Sequence, residues 1–318
     1  MDFTVAICTY NGASRLPRVL DRLQACCDFT LEQPAQKITW EILVVDNNSS
    51  DNTAEVVRDY QKNWAYSVPL KYCRQPQQGL AFARQKAIDT ATSDWVGFLD
   101  DDNLPTENWV VEMIDAARSH PQAAVFGSRI HGDFEVPPPD NFYRIAPLLA
   151  LSDLGSKPQL FAPKTKLLPP GAGLVVRKQA WRESVPDRLV LLGRIGGKML
   201  AGEDLEALLY IQRAGWEIWY VPSAIVYHRI PASRLQKEYL IPLCRGIGLS
   251  RFRTRMLSVS LWQRPFALVL YALNDLRKLL RHWWTYRTQF DLAAECETQL
   301  FLYSFLSPFY LWKYGARR

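Results

Sequence analysis

A run of three carboxylates ends a short apolar segment that extends from Trp95 to Asn103. Side chains of an extended segment alternate between its two sides, so Asp100 and Asp102 are expected to face one point while Asp101 turns away. Hard cations such as Mg²⁺ bind one or two carboxylates together with oxygens of a bound phosphate. Ligands of open α/β sheets bind just beyond the carboxyl ends of strands. The segment predicts a metal-diphosphate site, against the alternative of a solvated acidic turn.

A second acidic pair, Glu203 and Asp204, follows Gly202. These residues open a predicted helix on which apolar or long side chains recur at helical spacing, namely Leu205, Leu208, Leu209 and Gln212. The amide dipoles of a first helical turn stabilise an ionised carboxylate, and a general base must begin deprotonated. Simple helix capping fits the same position.

Strand and helix signals alternate through the first 130 residues and must position these groups. The apolar strand candidates are Phe3–Cys8, Glu41–Val45, Leu70–Cys73, Trp95–Leu99 and Ala123–Ser128. Between them, Leu16, Val19, Leu20, Leu23 and Cys27 recur at helical spacing with Pro17 in the first turn, and Asp51 and Asn52 can cap a helix from Thr53. Such alternation predicts a parallel sheet flanked by helices.

The regular pattern ends after Ser128. Residues Gly132–Pro170 contain Pro137–Pro139 and five further prolines, with no clear period. Loops this long in a compact domain usually form lids or binding segments.

Composition is typical of a cytoplasmic enzyme. The 318 residues are 48% hydrophobic, which suffices for one large or two modest domains. Met1–Phe3 leads straight into an apolar strand, so no secretory signal is expected. The cysteines lack paired metal spacing and are predicted to be reduced packing residues: Cys8, Cys26, Cys27, Cys73, Cys244 and Cys296.

The net charge of +6 is distributed unevenly. Residues 1–233 carry 24 basic and 27 acidic side chains, whereas residues 234–318 carry 14 basic and 5 acidic ones. A basic, tryptophan-rich carboxyl-terminal region indicates a polyanionic partner, either nucleic acid or an anionic membrane face. No recognised nucleic-acid module accompanies it, so no nucleic-acid partner is predicted.

Two common phosphate-binding designs are excluded. A dinucleotide-binding fold would carry GxGxxG after the first strand, where this chain has Cys8–Ser14. A Walker lysine motif is also missing from the sequence. A phosphate group would therefore be bound mainly by a metal ion and by arginine side chains or backbone amides at a helix end.

Five motifs, in order, resemble those of family-2 glycosyltransferases of the GT-A fold. They are Thr4–Asn11, Ile42–Thr53, Gly79–Arg84, the D-x-D triplet Asp100–Asp102, and Gly202–Glu206, and the resemblance covers roughly residues 3–230. It implies an α/β fold with a mostly parallel nucleotide-binding sheet and a helical extension. The expected divisions are a nucleotide-sugar half (1–128), an acceptor and catalytic half (129–233) and a carboxyl-terminal region (234–318). Arg245–Arg251 also resembles a cyanobacterial branch tied to hormogonium polysaccharide synthesis.

The resemblance assigns the donor side of the site. Asp46 would accept from the imide N–H of a uracil, the alternative being that it caps the turn of residues 47–51. Asp102 would be the principal ligand of Mg²⁺ or Mn²⁺, with Asp100 contacting the metal or ribose. Arg84 would contact the nucleotide or its diphosphate, the alternative being a surface helix arginine. The remaining nucleotide-sugar contacts would be Thr9, Tyr10, Asn11, Asn48, Gly79 and Asp101.

The acceptor side follows from the same resemblance. Asp204 would be the catalytic base, while Glu203 would orient the site or bind acceptor. His228, which ends the segment Ile225–His228, would complete the metal shell as in some relatives, or else be held by ordinary hydrogen bonds. The acceptor would lie against Gly171, Ala172 and Gly173.

The predicted reaction is inverting, metal-dependent transfer of one sugar from a nucleotide-diphosphate sugar, with UDP-sugar favoured, to a hydroxyl of a glycan or lipid-linked acceptor. Processive relatives carry Gln-x-x-Arg-Trp where this chain has Gln212–Trp216, which favours single transfer. One alternative is a sugar nucleotidylyltransferase, which would need a glycine- and lysine-rich loop that does not follow the first strand. Another is a catalytically silent, membrane-attached scaffold of polysaccharide assembly.

The carboxyl-terminal region is expected to lie at a membrane surface. Pro265–Leu273 is too short to cross a bilayer, which takes about 20 residues. One predicted helical face carries apolar side chains, and the opposite face carries polar and basic ones: Leu273, Leu276, Leu280 and Trp283 against Asn274, Arg277, Lys278 and Arg281. A second, aromatic-rich segment, Leu300–Tyr314, ends at the basic residues Lys313, Arg317 and Arg318. Such patterns suit a helix in the bilayer interface on the inner face of the plasma membrane. The alternative is ordinary packing on the catalytic domain.

Overall fold

Four parallel strands form one half of the sheet. They are β1 (Phe3–Thr9), β2 (Trp40–Asp46), β3 (Leu70–Arg74) and β4 (Trp95–Asp100), in the spatial order β3-β2-β1-β4. Parallel pairing sets Thr9 opposite Asp46, and Cys8 opposite Asp100. The carboxyl ends of β1, β2 and β4 therefore meet at one edge, where ligands of such sheets bind.

The structure, a computed structural model, describes residues 2–33, 38–165, 167–193, 200–288 and 290–315, with side chains to residue 310. The predicted basic end at Arg317 and Arg318 lies outside the described residues, as does the side chain of Lys313.

Five helices accompany the sheet: α1 (Leu16–Leu31), α2 (Thr53–Lys62), α3 (Leu80–Thr90), α4 (Trp109–Ser119) and α5 (Lys178–Ser184). The predicted face of α1 is confirmed, because all five of its predicted core residues from Leu16 to Cys27 are buried. Asp51 caps α2 by accepting the Thr53 N–H at 3.1 Å, whereas Asn52 makes no side-chain cap. Local spacing and capping chemistry therefore account for these helices.

The other half of the sheet includes antiparallel strand pairs. It contains β5 (Asn103–Pro105), β6 (Ala123–Phe134), β8 (Leu174–Arg177) and β9 (Glu217–Ile230), and continues the order from β4 as β8-β6-β9-β5, with the two-residue β7 (Gln159–Leu160) paired to β9. The predicted strand Ala123–Ser128 is the start of a longer β6, which runs in the same direction as β4 but does not pair with it. The intervening β8 pairs antiparallel with both strands. The sheet is mixed.

The proline-rich stretch Gly132–Pro170 is irregular, as its sequence predicts. After β6 it holds three short 3₁₀ turns, at Phe142–Arg144, Ala146–Leu149 and Pro163–Thr165, and the short β7. Prolines lack the N–H that regular elements need, which explains the absence of longer elements here.

The described chain forms two units that interleave along the sequence. The first comprises residues 1–133, 150–187 and 211–229, and contains the sheet. The second comprises residues 134–149, 188–210 and 230–318. It is largely helical, with most of α6 (Glu203–Arg213) and all of α7 (Lys237–Leu257), α8 (Arg264–Tyr286) and α9 (Leu292–Gly315).

Helices α7 and α9 pack closely within the second unit. Gly248 of α7 permits this approach, because a Cβ there would lie 2.9 Å from the Leu300 carbonyl oxygen of α9. Cys244 and Cys296 are buried, free thiols on these two helices. None of the helices among the described residues is long and apolar enough to cross a membrane.

Candidate active site

The three carboxylates turn at the end of β4 instead of continuing as an extended strand. Asp101 and Asp102 form a turn, and Asn103 begins β5. The Asn103 side chain closes this turn by accepting the Asp100 N–H at 3.1 Å and donating to Asp102 Oδ1 at 3.0 Å. The expectation of an extended triplet is therefore wrong, and the turn sets the directions of the three side chains.

Asp101 is engaged by the loop after β1. It accepts from the Thr9 hydroxyl at 2.6 Å and from Arg15 Nε and Nη2 at 2.8 and 2.9 Å. Gly12 makes room for this network, because a Cβ at that position would lie 2.5 Å from Asp101 Oδ2. Thr9 and Asp101, both predicted nucleotide-sugar contacts, are buried and bonded to each other. Their observed contacts stabilise the loop.

Asp102 lies beside His228, the residue predicted to complete the metal shell. The β5–β9 pairing sets Asn103 opposite His228, which brings the imidazole Nε2 to 3.6 Å from Asp102 Oδ2. The Arg229 N–H also donates to the Asp102 carbonyl oxygen at 2.8 Å. Asp102 and His228 are both 8% exposed, so they form a nearly buried pair.

Asp100 lies in the electrostatic field of the same cluster. Burial, together with the neighbouring Asp102 and Asp101 carboxylates, raises its pKa to about 6 against the opposing effect of Arg84 and His228. A carboxyl whose neighbours disfavour its charge is stabilised by an added cation. Carboxylate oxygens and a neutral imidazole are competent ligands of Mn²⁺, so this donor set fits a divalent metal.

The protein side chains do not by themselves make a complete metal cage. Among the described residues, no three His, Cys, Asp or Glu side chains are spaced to hold an ion together, and this includes the predicted set of Asp100, Asp102 and His228.

Arg84 is buried, so its interpretation as a surface helix arginine is wrong. It is 2% exposed, with its guanidinium 5.2 Å from the centre of the Phe98 ring. One Nη lies 3.7 Å from Asp100 Oδ1 and donates to the Gly171 carbonyl oxygen at 3.4 Å. Arg84 therefore links the carboxylate cluster to the predicted acceptor segment.

The acceptor segment is itself well supported. Gly171, Ala172 and Gly173 are buried immediately before β8. The Ser128 hydroxyl donates to the Gly173 carbonyl oxygen at 2.7 Å, and it accepts from the Trp109 indole N–H at 2.9 Å. The Ser128 contact therefore holds this segment at Gly173, and the Arg84 contact holds it at Gly171.

Asp46 is held at the end of β2 by two donors. Its Oδ1 accepts the Ser49 N–H at 2.8 Å, which is the turn-capping alternative, and its Oδ2 accepts from the Tyr72 hydroxyl at 2.7 Å. Burial, reinforced by this bond to Asp46, raises the pKa of Tyr72 to about 12. Each carboxylate oxygen retains a second lone pair, so Asp46 can accept one more donor from a ligand.

Neighbouring loops converge on the same edge. The Asn11 side chain accepts the Ser50 N–H at 2.8 Å. Asn48 accepts from Arg74 at 2.7 Å. The Gly79 N–H, at the start of α3, donates to the side chain of Asn47 at 2.7 Å. Tyr10 differs from these residues because it is 45% exposed, which leaves its ring open to solvent.

The acidic residues of α6 lie in the second unit. Glu203 is buried and its carboxylate accepts the Gly202 N–H at 3.0 Å, so it caps the helix it opens. Asp204 is partly buried in the same first turn. The predicted helix face is wrong at Leu205, which is 36% exposed, while Leu208 and Leu209 are buried.

Comparison with known proteins decides the family. The model of glycosyl transferase family 2 matches residues 4–175, which is more than half of the chain. The chain belongs to glycosyl transferase family 2. Over 240 residues it is 23% identical to the succinoglycan biosynthesis protein ExoM of Rhizobium meliloti, covering 74% of this chain and 69% of ExoM.

Solved structures of other glycosyltransferases share the fold of this one. The mannosyltransferase PcManGT of Pyrobaculum calidifontis, solved with GDP-Man and Mn²⁺, gives a TM-score of 0.58 at 17% identity over 98% of this chain and 87% of its own. GalNAc-T7, solved with UDP, GalNAc and Mn²⁺, gives 0.54 at 16% identity over 82% and 52%. At these identities the likeness shows the GT-A fold.

The sequence analysis missed Glu206 of this glycosyltransferase. Glu206 is fully buried and accepts from the Leu191 N–H at 2.7 Å and from Arg253 Nε at 2.9 Å. It thereby ties the segment before α6 to α7. The available signal was an acidic residue two positions beyond Asp204, between apolar neighbours, where a carboxylate must be paired if it is buried.

Proposed function

We propose that this glycosyltransferase transfers one sugar, with inversion, from a nucleotide-diphosphate sugar to a hydroxyl of a glycan or lipid-linked acceptor. The observation that carries the proposal is the cluster of Asp100, Asp102 and His228 at the carboxyl edge of the sheet. Asp102 and His228 are nearly buried, the side chain of Asp100 is 35% exposed, and the cluster is short of positive charge. Arg84 offsets only part of this charge from 3.7 Å. A divalent cation bound with the donor diphosphate would complete the balance.

In the proposed donor site, Asp102 and His228 would hold Mg²⁺ or Mn²⁺ together with oxygens of the donor diphosphate, and Asp100 would add negative charge beside them. The metal would neutralise charge that grows on the leaving diphosphate. Arg84 holds Asp100 and the acceptor segment in fixed relation through its contacts to both. Mn²⁺ in PcManGT and GalNAc-T7 supports a metal-dependent reaction here.

Asp204 is the proposed general base. Its place in the first turn of α6 favours the ionised form that a base needs at the start of the reaction. It removes the proton of the acceptor hydroxyl as that oxygen forms a bond to the anomeric carbon. The bond from this carbon to the diphosphate oxygen breaks on the opposite face, and the nucleoside diphosphate leaves with the electron pair. Glu203, which caps the same helix, would hold Asp204 in position.

A UDP-sugar is the favoured donor. Asp46 lies at the end of β2 with one lone pair left on each oxygen, which suits the imide N–H of uracil. Asn11, Asn48 and the exposed Tyr10 would line the same corner. UDP in GalNAc-T7 supports this choice, whereas GDP-Man in PcManGT makes a guanine nucleotide the comparison to test.

Polysaccharide synthesis is the proposed setting. The likeness to ExoM, a succinoglycan biosynthesis protein, supports it, as does the resemblance of Arg245–Arg251 to the cyanobacterial hormogonium polysaccharide branch. The sequence Gln212–Trp216 departs from the motif of processive relatives, which favours one transfer per acceptor. Membership of family 2 disfavours the nucleotidylyltransferase alternative.

Thermal unfolding with a panel of nucleotides and nucleotide sugars tests the donor assignment. UDP and one UDP-sugar are expected to raise the Tm, with a larger rise when Mn²⁺ is present. Hydrolysis or transfer of the stabilising sugar, followed by release of UDP, then measures activity. If guanine nucleotides alone stabilise the protein, the assignment of uracil as the donor's nucleobase is wrong. If the rise in Tm does not depend on Mn²⁺, the proposed metal dependence is wrong.

A further inference from the structure

Helix α8 turns its apolar side chains outward. Seven of its large apolar side chains are between 57% and 69% exposed: Phe266, Val269, Leu270, Leu273, Leu280, Trp283 and Trp284. The residues that α8 buries are instead Asp275 and His282. We call the exposed side the outer face of α8. A helix of a globular protein normally shows the opposite arrangement.

Polar contacts hold α8 in this rotation. Arg255 of α7 donates to both oxygens of Asp275, at 2.5 and 2.8 Å. On the next helix, the Ala294 carbonyl oxygen lies 2.9 Å from His282 Nε2, and Glu297 lies 3.6 Å from its Nδ1. Turning the leucines inward would leave the Asp275 and Arg255 charges unpaired. These contacts therefore keep the outer face of α8 exposed within the second unit.

The exposed charged side chains of residues 258–290 are all basic. Between residues 258 and 290 the sole acidic residue is Asp275, which is buried against Arg255. Four basic residues of α8 and its end are exposed: Arg277, Lys278, Arg281 and Arg287. The surface is thus apolar and cationic, which complements an anionic lipid surface.

Tryptophans mark both ends of α8. Trp262 precedes the helix and is 73% exposed, while Trp283 and Trp284 near its end are 58% and 63% exposed. Tryptophan favours the boundary between lipid headgroups and acyl chains. A helix of 23 residues is about 34 Å long, so it can lie flat along that boundary with a tryptophan at each end.

We propose that the outer face of α8 binds the interface of an anionic bilayer. This goes beyond the proposed function, although it would bring the enzyme to a lipid-linked acceptor. A second copy of the chain fits less well, since pairing two outer faces would set their exposed cations against one another with no exposed carboxylate from residues 258–290 between them.

Flotation of the full-length protein with vesicles tests the proposal. We expect binding to vesicles of phosphatidylcholine with about one third phosphatidylglycerol, and little binding to phosphatidylcholine alone. Raising salt from about 0.1 M to about 0.5 M should release the protein, because surface electrostatics are screened over that range.

Matched variants separate the outer face from general effects of charge. Replacing Arg277, Lys278 and Arg281 with Gln should weaken partition about 100-fold, since each basic residue near an anionic surface contributes roughly fivefold. The control replaces Arg58, Lys62 and Arg118, exposed in the first unit, with Gln and should bind like wild type. Likewise, Leu273→Glu with Leu280→Glu should abolish binding, while Leu31→Glu with Leu160→Glu should not.

Brominated lipids provide a direct readout of insertion. They should quench part of the tryptophan fluorescence, and Trp262→Phe with Trp283→Phe and Trp284→Phe should remove that part while the protein still floats. A folded wild-type protein that fails to bind anionic vesicles would overturn the proposal. So would a dimer in sedimentation that Leu273→Glu with Leu280→Glu dissociates without any vesicle binding. Neither result depends on sugar transfer, so the proposed function is tested separately.

Discussion

His228 Nε2 lies 3.6 Å from Asp102 Oδ2, although the two residues are 126 positions apart in the chain. The antiparallel register of β9 on β5 creates this proximity by pairing His228 with Asn103. The pair is nearly buried, and Asp100 and Arg84 complete its charged surroundings. Any cation bound there would replace interactions with water, so its effect on stability and turnover should be large.

Asp102→Asn is expected to reduce transfer by at least 100-fold, since the substitution removes one charge from the proposed metal shell. The fold should survive, because the Asp102 backbone contact to Arg229 is unchanged and repulsion of Asp100 is relieved. Initial rates with Mn²⁺ and circular dichroism measure the two effects. Asp59→Asn, at an exposed pair with Lys62, is the control. Wild-type rates from Asp102→Asn in a chelator would rule out the metal site.

The response to Mn²⁺ should depend on pH through Asp100. Burial and the adjacent carboxylates raise the pKa of Asp100 to about 6, above its ordinary value, so the folded protein holds this proton more tightly than the unfolded chain. The stability from this group is therefore present below the unfolded pKa and lost as pH rises through about 6. Mn²⁺ competes with the same proton, so it should raise the Tm more at about pH 7.5 than at about pH 5.

Asp100→Asn isolates this titration from the rest of the protein. Without Mn²⁺, the variant should gain Tm relative to wild type at about pH 7.5 and little at about pH 5. A difference that is the same at both pH values would show that Asp100 does not titrate in this range.

Much of the parallel half was predictable because its signals are local. The face of α1 follows from spacing within 16 residues, and the edge of the sheet follows from strands that end in polar residues. The neighbour of β6 was not predictable, since β8, which lies about 50 residues later, is inserted between β4 and β6 and is antiparallel to both. An apolar run predicts a strand and leaves its partner undetermined.

The candidate site also has features that the sequence predicts and others that depend on the fold. Asp100 and Asp102 could be predicted as site residues because carboxylates that follow an apolar strand lie at the edge of the sheet where ligands bind. The contact of Asp101 with Thr9 could not be anticipated, because it joins residues 92 positions apart through a turn set by Asn103. Glu206 was missed for a related reason. Its partners Leu191 and Arg253 come from distant segments that only the folded second unit brings together.

Glu206→Gln is expected to destabilise the protein by about 2–4 kcal/mol, because it leaves Arg253 without its buried partner. The Leu191 N–H can still find an acceptor in the glutamine oxygen, so the loss should come mainly from the charge. Urea unfolding measures the difference, with exposed Glu238→Gln as the control. A double-mutant cycle with Arg253→Gln should give a coupling energy of at least about 1 kcal/mol, near the lower end of the range for side chains in contact. A coupling energy of zero would contradict a structural role for the pair.

Asp204→Asn tests the base separately from donor binding. The variant should keep the Tm rise with Mn²⁺ and donor but lose single-turnover transfer by about 1000-fold, since proton removal and donor binding use different groups. Glu203→Gln provides the comparison, because its carboxylate caps α6 through the Gly202 N–H and should cost stability more than chemistry. Rapid quench with excess enzyme, together with donor titration, separates the two readouts. If Asp204→Asn loses donor binding while the transfer step keeps its rate, Asp204 belongs to the donor site and the base must be sought elsewhere.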